Sequence, residues 1–537
     1  MLKIENIKIS PDQDLGAVSA EAARMLKVRE KDLQSLRVLR RSIDARDGVV
    51  WVYTVEVGVK DEAAVMKRCH SKRVSQIRRK PGYLLPLPQS APEVPPVVVG
   101  AGPAGLFAAL VLARTGLKPI LLERGRAVEE RCADVERFWA DGTLNLTSNV
   151  QFGEGGAGAF SDGKLNTGTK DLRHRFILET LVKFGAPEDI LMDAKPHVGT
   201  DYLHIVLKNM RQELLRLGAD IRFESRMTDV IAENGALAAI TVENPDGTYT
   251  LPCRQLILCP GHSARDTFEM LHSRGVPMEA KPFAVGVRIE HRQEDCDAAQ
   301  YKQYAGHPSL PASTYKLACH LPNGRSAFSF CVCPGGEVVA AASETNRVVT
   351  NGMSEFARAK ENINGALLVN VTPEDFGGDS PLAGIAFQRR LEEAAFALGG
   401  GGYRAPAQRV EDFLAKRPTK KAGRVKPSYR PDVTWADLHE CLPGFVAETI
   451  ALALPVLGGQ LRGYDHGDAV MTAVESRSSS PVRILRDDTC QSALTGLFPC
   501  GEGAGYAGGI LSAAADGMRC AEAVCHILSK EVSANEP

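Results

Sequence analysis

Three stretches of this chain space glycines as GxGxxG: Gly100-Ala-Gly102-Pro-Ala-Gly105, Gly153-x-Gly155-x-x-Gly158 and Gly503-Ala-Gly505-Tyr-Ala-Gly508. The chemistry such a loop can do is to hold a dinucleotide: a tight turn, backbone approach to a pyrophosphate, and close packing of helix on strand. The string alone decides nothing, so the flanking elements must. PVVVG, GPAGLFAALVLARTG and KPILLERG read as strand, helix and strand. Gly100, Gly102 and Gly105 fall at the first turn, and Pro103 and Ala104 open a helix whose N-terminus faces the phosphates. Glu123, with Arg124 beside it, closes the second strand 23 residues after Gly100, where a carboxylate accepts hydrogen bonds from ribose hydroxyls. Neither other match has this context. No helical periodicity follows Gly158, and no second strand and acid follow Gly508.

Other residue types suit a substrate pocket. Lys164, His262 and Arg477 are the catalytic candidates, with Arg265 and Ser478–Ser480 as further polar groups. Arg477 and Arg483 flank SSSP and suit a carboxylate or phosphate by forked hydrogen bonding, or are solvated loop arginines. His262 has the type needed for proton transfer, or packs its motif. Cys331-Val-Cys333 is the closest cysteine pair in sequence. On a strand the two share a face, as neighbouring thiols or as two small apolar core residues. No metal cluster declares itself.

The elements that position these groups follow from composition and periodicity. A chain of 537 residues, 44% hydrophobic, suggests two or three packed domains. Thirteen cysteines, scattered without CxxC spacing, fit free thiols in a reducing compartment, and the start MLKIENIKIS has no export signal, so a cytoplasmic location is expected. FVAETIALALPVLGG is interrupted by Glu448 and Pro455, and no membrane span is expected. The net charge of −1 hides an asymmetry: residues 1–90 carry 18 Lys+Arg against 11 Asp+Glu. Residues 1–85 read as a small basic α/β domain, and five prolines from Pro86 to Pro96 mark a linker over 86–96. Residues 97–275 and 486–537 form the two parts of a nucleotide-binding domain, with Asp220–Phe223 as a third strand, a three-strand meander to Cys253, and LILC as another buried strand. The region 276–485 is then an inserted α+β substrate domain. The basic N-terminal unit could track an RNA backbone, yet its stacking aromatics are few; docking on the acidic remainder is the alternative.

VVVGAGPAGLFAALVLARTGLKPILLERG, LILCPGHSA and LFPCGEGAGYAGGILSAAADG resemble the three FAD motifs of two-dinucleotide-binding-domain flavoproteins of glutathione-reductase-like fold. GEGGAGAFSDGKLNTG, CPGHSARDTF, FCVCPGGEVVAAASE and ESRSSSPVRI resemble bacterial proteins known as FAD-dependent dehydrogenases or oxidoreductases. The resemblance implies a Rossmann-like FAD-binding domain, bound FAD and redox chemistry with no settled substrate; hydride transfer between the flavin and a small organic substrate or NAD(P)H is the expected reaction. It implies that Gly155, Gly156 and Ala157 approach pyrophosphate or flavin, that Ser161, Asp162, Gly163 and Lys164 sit beside the ring, and that Pro260 and Gly261 belong to the second motif. Gly501 and Glu502, then Gly508, Gly509 and Ile510 at the start of the last helix, complete the site, with Glu502 standing where many relatives carry Asp. Thiol–disulfide relay by a cysteine pair just after the first βαβ is not expected, because that region offers only Cys132. No second βαβ with its acid appears, so NAD(P)H could bind only transiently across the flavin face. An RNA-associated flavoprotein and a non-catalytic flavin sensor are the alternative readings.

Overall fold

The computed structural model describes residues 1–77, 82–88, 92–166, 168 and 170–535, the last six by backbone alone. Residues 78–81 of the basic stretch and 89–91 of the proline-rich linker lie outside the described residues.

Four short apolar runs and Asp220–Arg222 build a parallel five-stranded sheet, in the order Leu497–Pro499, Leu256–Leu258, Val97–Val99, Ile120–Leu122, Asp220–Arg222. Apart from the half-buried Val99 the four runs are buried, as parallel strands covered on both faces require. Every residue of the helix Pro103–Arg114 from Ala104 to Ala113 is buried, because the long C-terminal helix Ile510–Asn535 packs against it. The strands Arg226–Glu233, Ala236–Asn244 and Gly247–Pro252 form the meander, and its Asn234-Gly235 turn has positive φ at both residues (51° and 80°), the conformation a tight hairpin needs.

Between Leu256–Leu258 and Leu497–Pro499 the chain builds a mostly antiparallel eight-stranded sheet. Its central strand Phe283–Arg292 pairs with Asn362–Val371 on one side and Val470–Glu475 on the other. Ser326–Ala340 is a long strand whose register against Asn362–Val371 shifts between Phe330 and Cys333 and again before Gly336. Met278–Ala280 pairs with Val482–Ile484 where the chain enters and leaves this region.

The N-terminal unit is a four-stranded antiparallel sheet, Leu33–Asp44, Val50–Val59, Leu2–Ile9, Val74–Gln76, with the helices Leu15–Leu26 and Glu62–Arg68. Its outer strand reaches the nucleotide-binding part: the Arg41 N–H donates to Met192 O (2.8 Å), the Ala194 N–H donates to Arg41 O (2.9 Å), and the Arg41 guanidinium pairs with Asp189 and Asp193. Tyr304 Oη donates to Asp12 at 3.0 Å from the eight-stranded part of the molecule. FVAETIALALPVLGG lies in the helix Gly444–Gln460 with Pro455 inside it, and among the described residues no helix is long and apolar enough to cross a membrane.

Candidate functional site

A cleft of about 480 Å³ runs between the two sheets. Its floor is the first turn, with Gly100, Gly102, Pro103 and Ala104. One end is bounded by Glu123 and Arg124, and Pro260, Gly261 and His262 flank the middle. The far end takes Ser161, Asp162, Gly163 and Lys164 from the glycine-rich loop, and Gly501, Glu502, Gly508, Gly509 and Ile510 from the C-terminal segment. The loop that the sequence leaves without helical structure forms a 3-10 turn over Gly156–Phe160, which brings Gly156 and Ala157 to the cleft wall.

Two glycines expected at the cofactor lie behind the cleft lining. A Cβ on Gly105 would stand 1.8 Å from Gly100 O, so this residue serves the packing of helix on turn. The Gly155 N–H donates to Ala101 O at 2.7 Å, and with φ of 88° the residue clips the loop onto the first turn and faces Leu207. Glu123 lines the cleft and has a structural role as well. Its carboxylate accepts from the N–H groups of Ala101 (2.8 Å), Gly125 (2.9 Å) and Gly153 (2.9 Å), tying three loops together and leaving little capacity for a ribose. Arg124 stacks over Phe152, 4.3 Å from the ring centroid, and forks onto Asp266.

Arg477 and His262 line the cleft and are held by protein partners. Arg477 has four of its five donors engaged: Nε and Nη2 grip Glu392 at 2.9 Å each, and Nη1 donates to Ser263 (3.0 Å) and Ser343 (2.6 Å). Arg265 forks onto the same Glu392 at 2.8 and 2.9 Å. Two buried guanidiniums thus share one carboxylate held well below its usual pKa against the cost of burial, and neither fork is open to a substrate. Burial, then Arg477 and Arg265, push the His262 imidazole down to about 3, so near neutrality it is the uncharged ring with a single N–H and not an imidazolium acid. Arg483 pairs with Glu279 and lies over Tyr506, while Ser478 and Ser480 donate to backbone carbonyls. Ser161 likewise donates to Gly158 O at 2.7 Å.

At the far end Asp162 is buried between cations. Arg358 forks onto it at 2.9 and 2.6 Å, Lys164 pairs with it at 3.0 Å, and Ser354 donates to it. Burial opposes the Asp162 charge, but Lys164 and Arg358 keep its carboxyl well below the usual range. The Lys164 ammonium is raised despite burial, by Asp162 and the Cys333 and Cys331 sulfurs, and its buried Nζ has no hydrogen-bond acceptor in line. Glu502 sits at the foot of the C-terminal helix, accepts from the Gly509 N–H at 3.4 Å, and is pushed up to about 7 by burial.

Several far-end residues were not foreseen: Asn351, Glu475 and the Arg288 beneath them. Arg288 forks onto Glu475 at 3.0 and 3.1 Å and donates to Asn351 (3.1 Å) and Cys331 O (2.8 Å). The signal was present as Arg288 inside the apolar run FAVGVRI, which a buried strand carries only if a partner neutralises it. Cys500, Asp516 and Cys520 also come together, their ligand atoms within 4.8 Å of one another, but Asp516 is engaged by Arg486 at 2.6 and 3.0 Å and by the Gly501 N–H.

The cleft fits a flavin dinucleotide. The N-terminal end of the helix Pro103–Arg114 opens on it, capped by Gly102 with no side chain across the N–H groups, and the Ile510–Asn535 helix starts from Gly508 and Gly509, whose Cβ positions are open space. The comparisons agree. A family model described as FAD-dependent protein, C-terminal domain-like, matches residues 282–478; an FAD binding domain matches 96–162; and a domain of unknown function matches 1–58. An uncharacterized protein of Clostridium beijerinckii is 47% identical over 98% of this chain and 99% of its own length. Tetracenomycin B2 monooxygenase-dioxygenase of Streptomyces olivaceus is 29% identical over 32% of this chain and 34% of its own. Among solved structures, an E. coli quinol fumarate reductase (13% identity, TM-score 0.37, 83% of this chain and 71% of that one) and a flavoprotein/dehydrogenase from Cytophaga hutchinsonii (13%, TM-score 0.34, 83% and 80%) are similar in part. The chain belongs to one family with the Clostridium beijerinckii protein, and it is an FAD flavoprotein.

Proposed function

We propose that the protein transfers a hydride between FAD and a small organic substrate or NAD(P)H, with FAD lying along the cleft from Glu123 to Lys164. The observation that carries this is the meeting of three segments distant in sequence, 100–105, 156–164 and 501–510, on one cleft whose far end is polar and buried. FAD supplies the two-electron redox chemistry. The helix N-terminus at Gly102, which no side chain caps, faces negative charge at the pyrophosphate, and the positive end of the helix Ile510–Asn535 faces negative charge at the ring. Glu123 holds the first turn and the glycine-rich loop in register, and Arg477 and Arg265 fix the second motif through Glu392. Lys164 Nζ keeps a permanent positive charge at the far end and orients an anionic substrate group there. Glu502, poised near neutrality, exchanges a proton at its carboxyl.

Anaerobic addition of NADH and then NADPH to the holoprotein tests the donor. Rapid bleaching of the flavin's long-wavelength band shows a nicotinamide-driven reductase. A band that persists with both, and that no organic substrate in a panel of acids and alcohols bleaches, contradicts the proposal.

A further inference from the structure

Cys331 and Cys333 stand where the bulged strand Ser326–Ala340 passes the far end of the cleft. In a regular strand two residues apart share a face with their side chains well separated. Here the pairing slips between Phe330 and Cys333, and Cys331 takes a φ of 42°, the left-handed region that a residue with a Cβ adopts only when its surroundings impose it. The bulge folds the chain back so that the Cys333 thiol donates to Cys331 O at 3.3 Å, and the two thiols influence each other's protonation. Cys331 is half-buried and lines the cleft beside the exposed Phe330, while Cys333 is fully buried behind it. Arg288 clamps the bulge through Cys331 O at 2.8 Å, with Glu475 and Asn351 holding that guanidinium in place.

The cations beside the pair favour the Cys331 thiolate, and the Asp162 charge opposes it. The hydrogen bond from Cys333, then, against burial, Lys164 and Arg288, hold the Cys331 thiol well below its ordinary pKa, and the same shared hydrogen bond raises Cys333. Lys164 Nζ, buried with no hydrogen-bond acceptor in line, faces both sulfurs. Thiolate and thiol side by side, one exposed to the cleft and one behind it, are the arrangement of an attacking and a resolving cysteine. A core strand with two small apolar residues needs neither the bulge nor the cations.

We propose that Cys331 and Cys333 are a redox-active dithiol that exchanges an electron pair with the FAD in this cleft. In the oxidising direction the Cys331 thiolate and the Cys333 thiol become one S–S bond. The S–H bond of Cys333 is lost, and two electrons pass to the oxidised flavin. The released proton leaves to the reduced flavin or to solvent through the cleft. In the opposite direction the reduced flavin opens the disulfide. Cys331, on the cleft side, is the sulfur that meets the flavin or an incoming disulfide substrate.

The inference rests on the FAD reading, and one experiment separates the two. The FAD-loaded full chain is titrated anaerobically with dithionite, then alkylated in its oxidised and reduced forms, and the peptide carrying both cysteines is weighed. The proposal predicts that wild type consumes twice the electrons its flavin takes. It further predicts that this peptide is an unalkylated disulfide when oxidised and doubly alkylated when reduced, and that Cys331→Ser and Cys333→Ser each return the count to that of flavin alone. Either variant serves if the other fails to fold. Flavin-only consumption by wild type, or doubled consumption that survives both substitutions, overturns the proposal and leaves the FAD reading standing. A chain that takes up no flavin overturns the FAD reading itself.

Discussion

Arg477 and Arg265 converge on Glu392, and that carboxylate holds the second motif segment to the helix Ala383–Leu398. Removing one partner of a buried charge cluster strands the others, so Glu392→Ala should cost about 3–5 kcal/mol, read by chemical denaturation. If Arg477 were instead an open substrate fork, that substitution would leave stability near wild type. Sequence could not show this, because a fork's partner lay 85 positions away in a different element. The same limit hid the second role of Glu123, whose carboxylate accepts three backbone N–H groups of the loops it joins. Glu154 makes a second prediction at this scale. It is buried, accepts from the Val128 N–H at 2.8 Å, leaves Oε1 without a partner, and is raised by desolvation from 4.5 to about 7. A raised carboxyl binds its proton more tightly in the folded state. Its contribution is therefore fully present below pH 4.5 and is lost as pH rises through about 7, a loss on the order of 3 kcal/mol. Glu154→Gln keeps an acceptor for Val128 and removes the titration, so its stability should stay level over that window where wild type declines.

At the scale of elements, what was legible was what is local. The strand, helix and strand around Gly100 announce themselves because the βαβ unit fits within one run of apolar periodicity, and its glycines sit where backbone meets backbone. The meander was legible from its Asn-Gly turn for the same reason. The bulge in Ser326–Ala340 was not, since a register shift is decided by the neighbouring strand Asn362–Val371, and the 3-10 turn at Gly156–Phe160 is imposed by packing on the first turn. Gly105→Ala tests the local part. Its Cβ would meet the Gly100 carbonyl, so the turn must open, and overpacking of this kind costs about 1–3 kcal/mol. Thermal unfolding of the apo chain should show that loss, with weakened FAD retention alongside it.

At the scale of the whole molecule, the cleft exists because the five-stranded parallel sheet is completed by a strand and helix from the end of the chain, after the eight-stranded sheet has been built between them. The excess positive charge of the first 90 residues finds part of its use in that assembly, through Arg41 against Asp189 and Asp193. That contact could not be read from composition, which gives the charge and not its counterpart. The central claim is that the first turn, the glycine-rich loop and the C-terminal segment enclose FAD together, and Gly102 is where it can be tested without disturbing the fold. Its backbone is extended (φ −76°, ψ −178°), and an added Cβ would find only Gly156 Cα at 3.8 Å. FAD titration of deflavinated Gly102→Ala against wild type, with apo unfolding measured in parallel, is the most direct measurement. The account predicts that apo stability falls by no more than about 1 kcal/mol while FAD affinity drops roughly tenfold or more, because the methyl occupies the space the cofactor needs. A variant that folds as wild type and binds FAD with unchanged affinity would contradict the placement of the cofactor in this cleft.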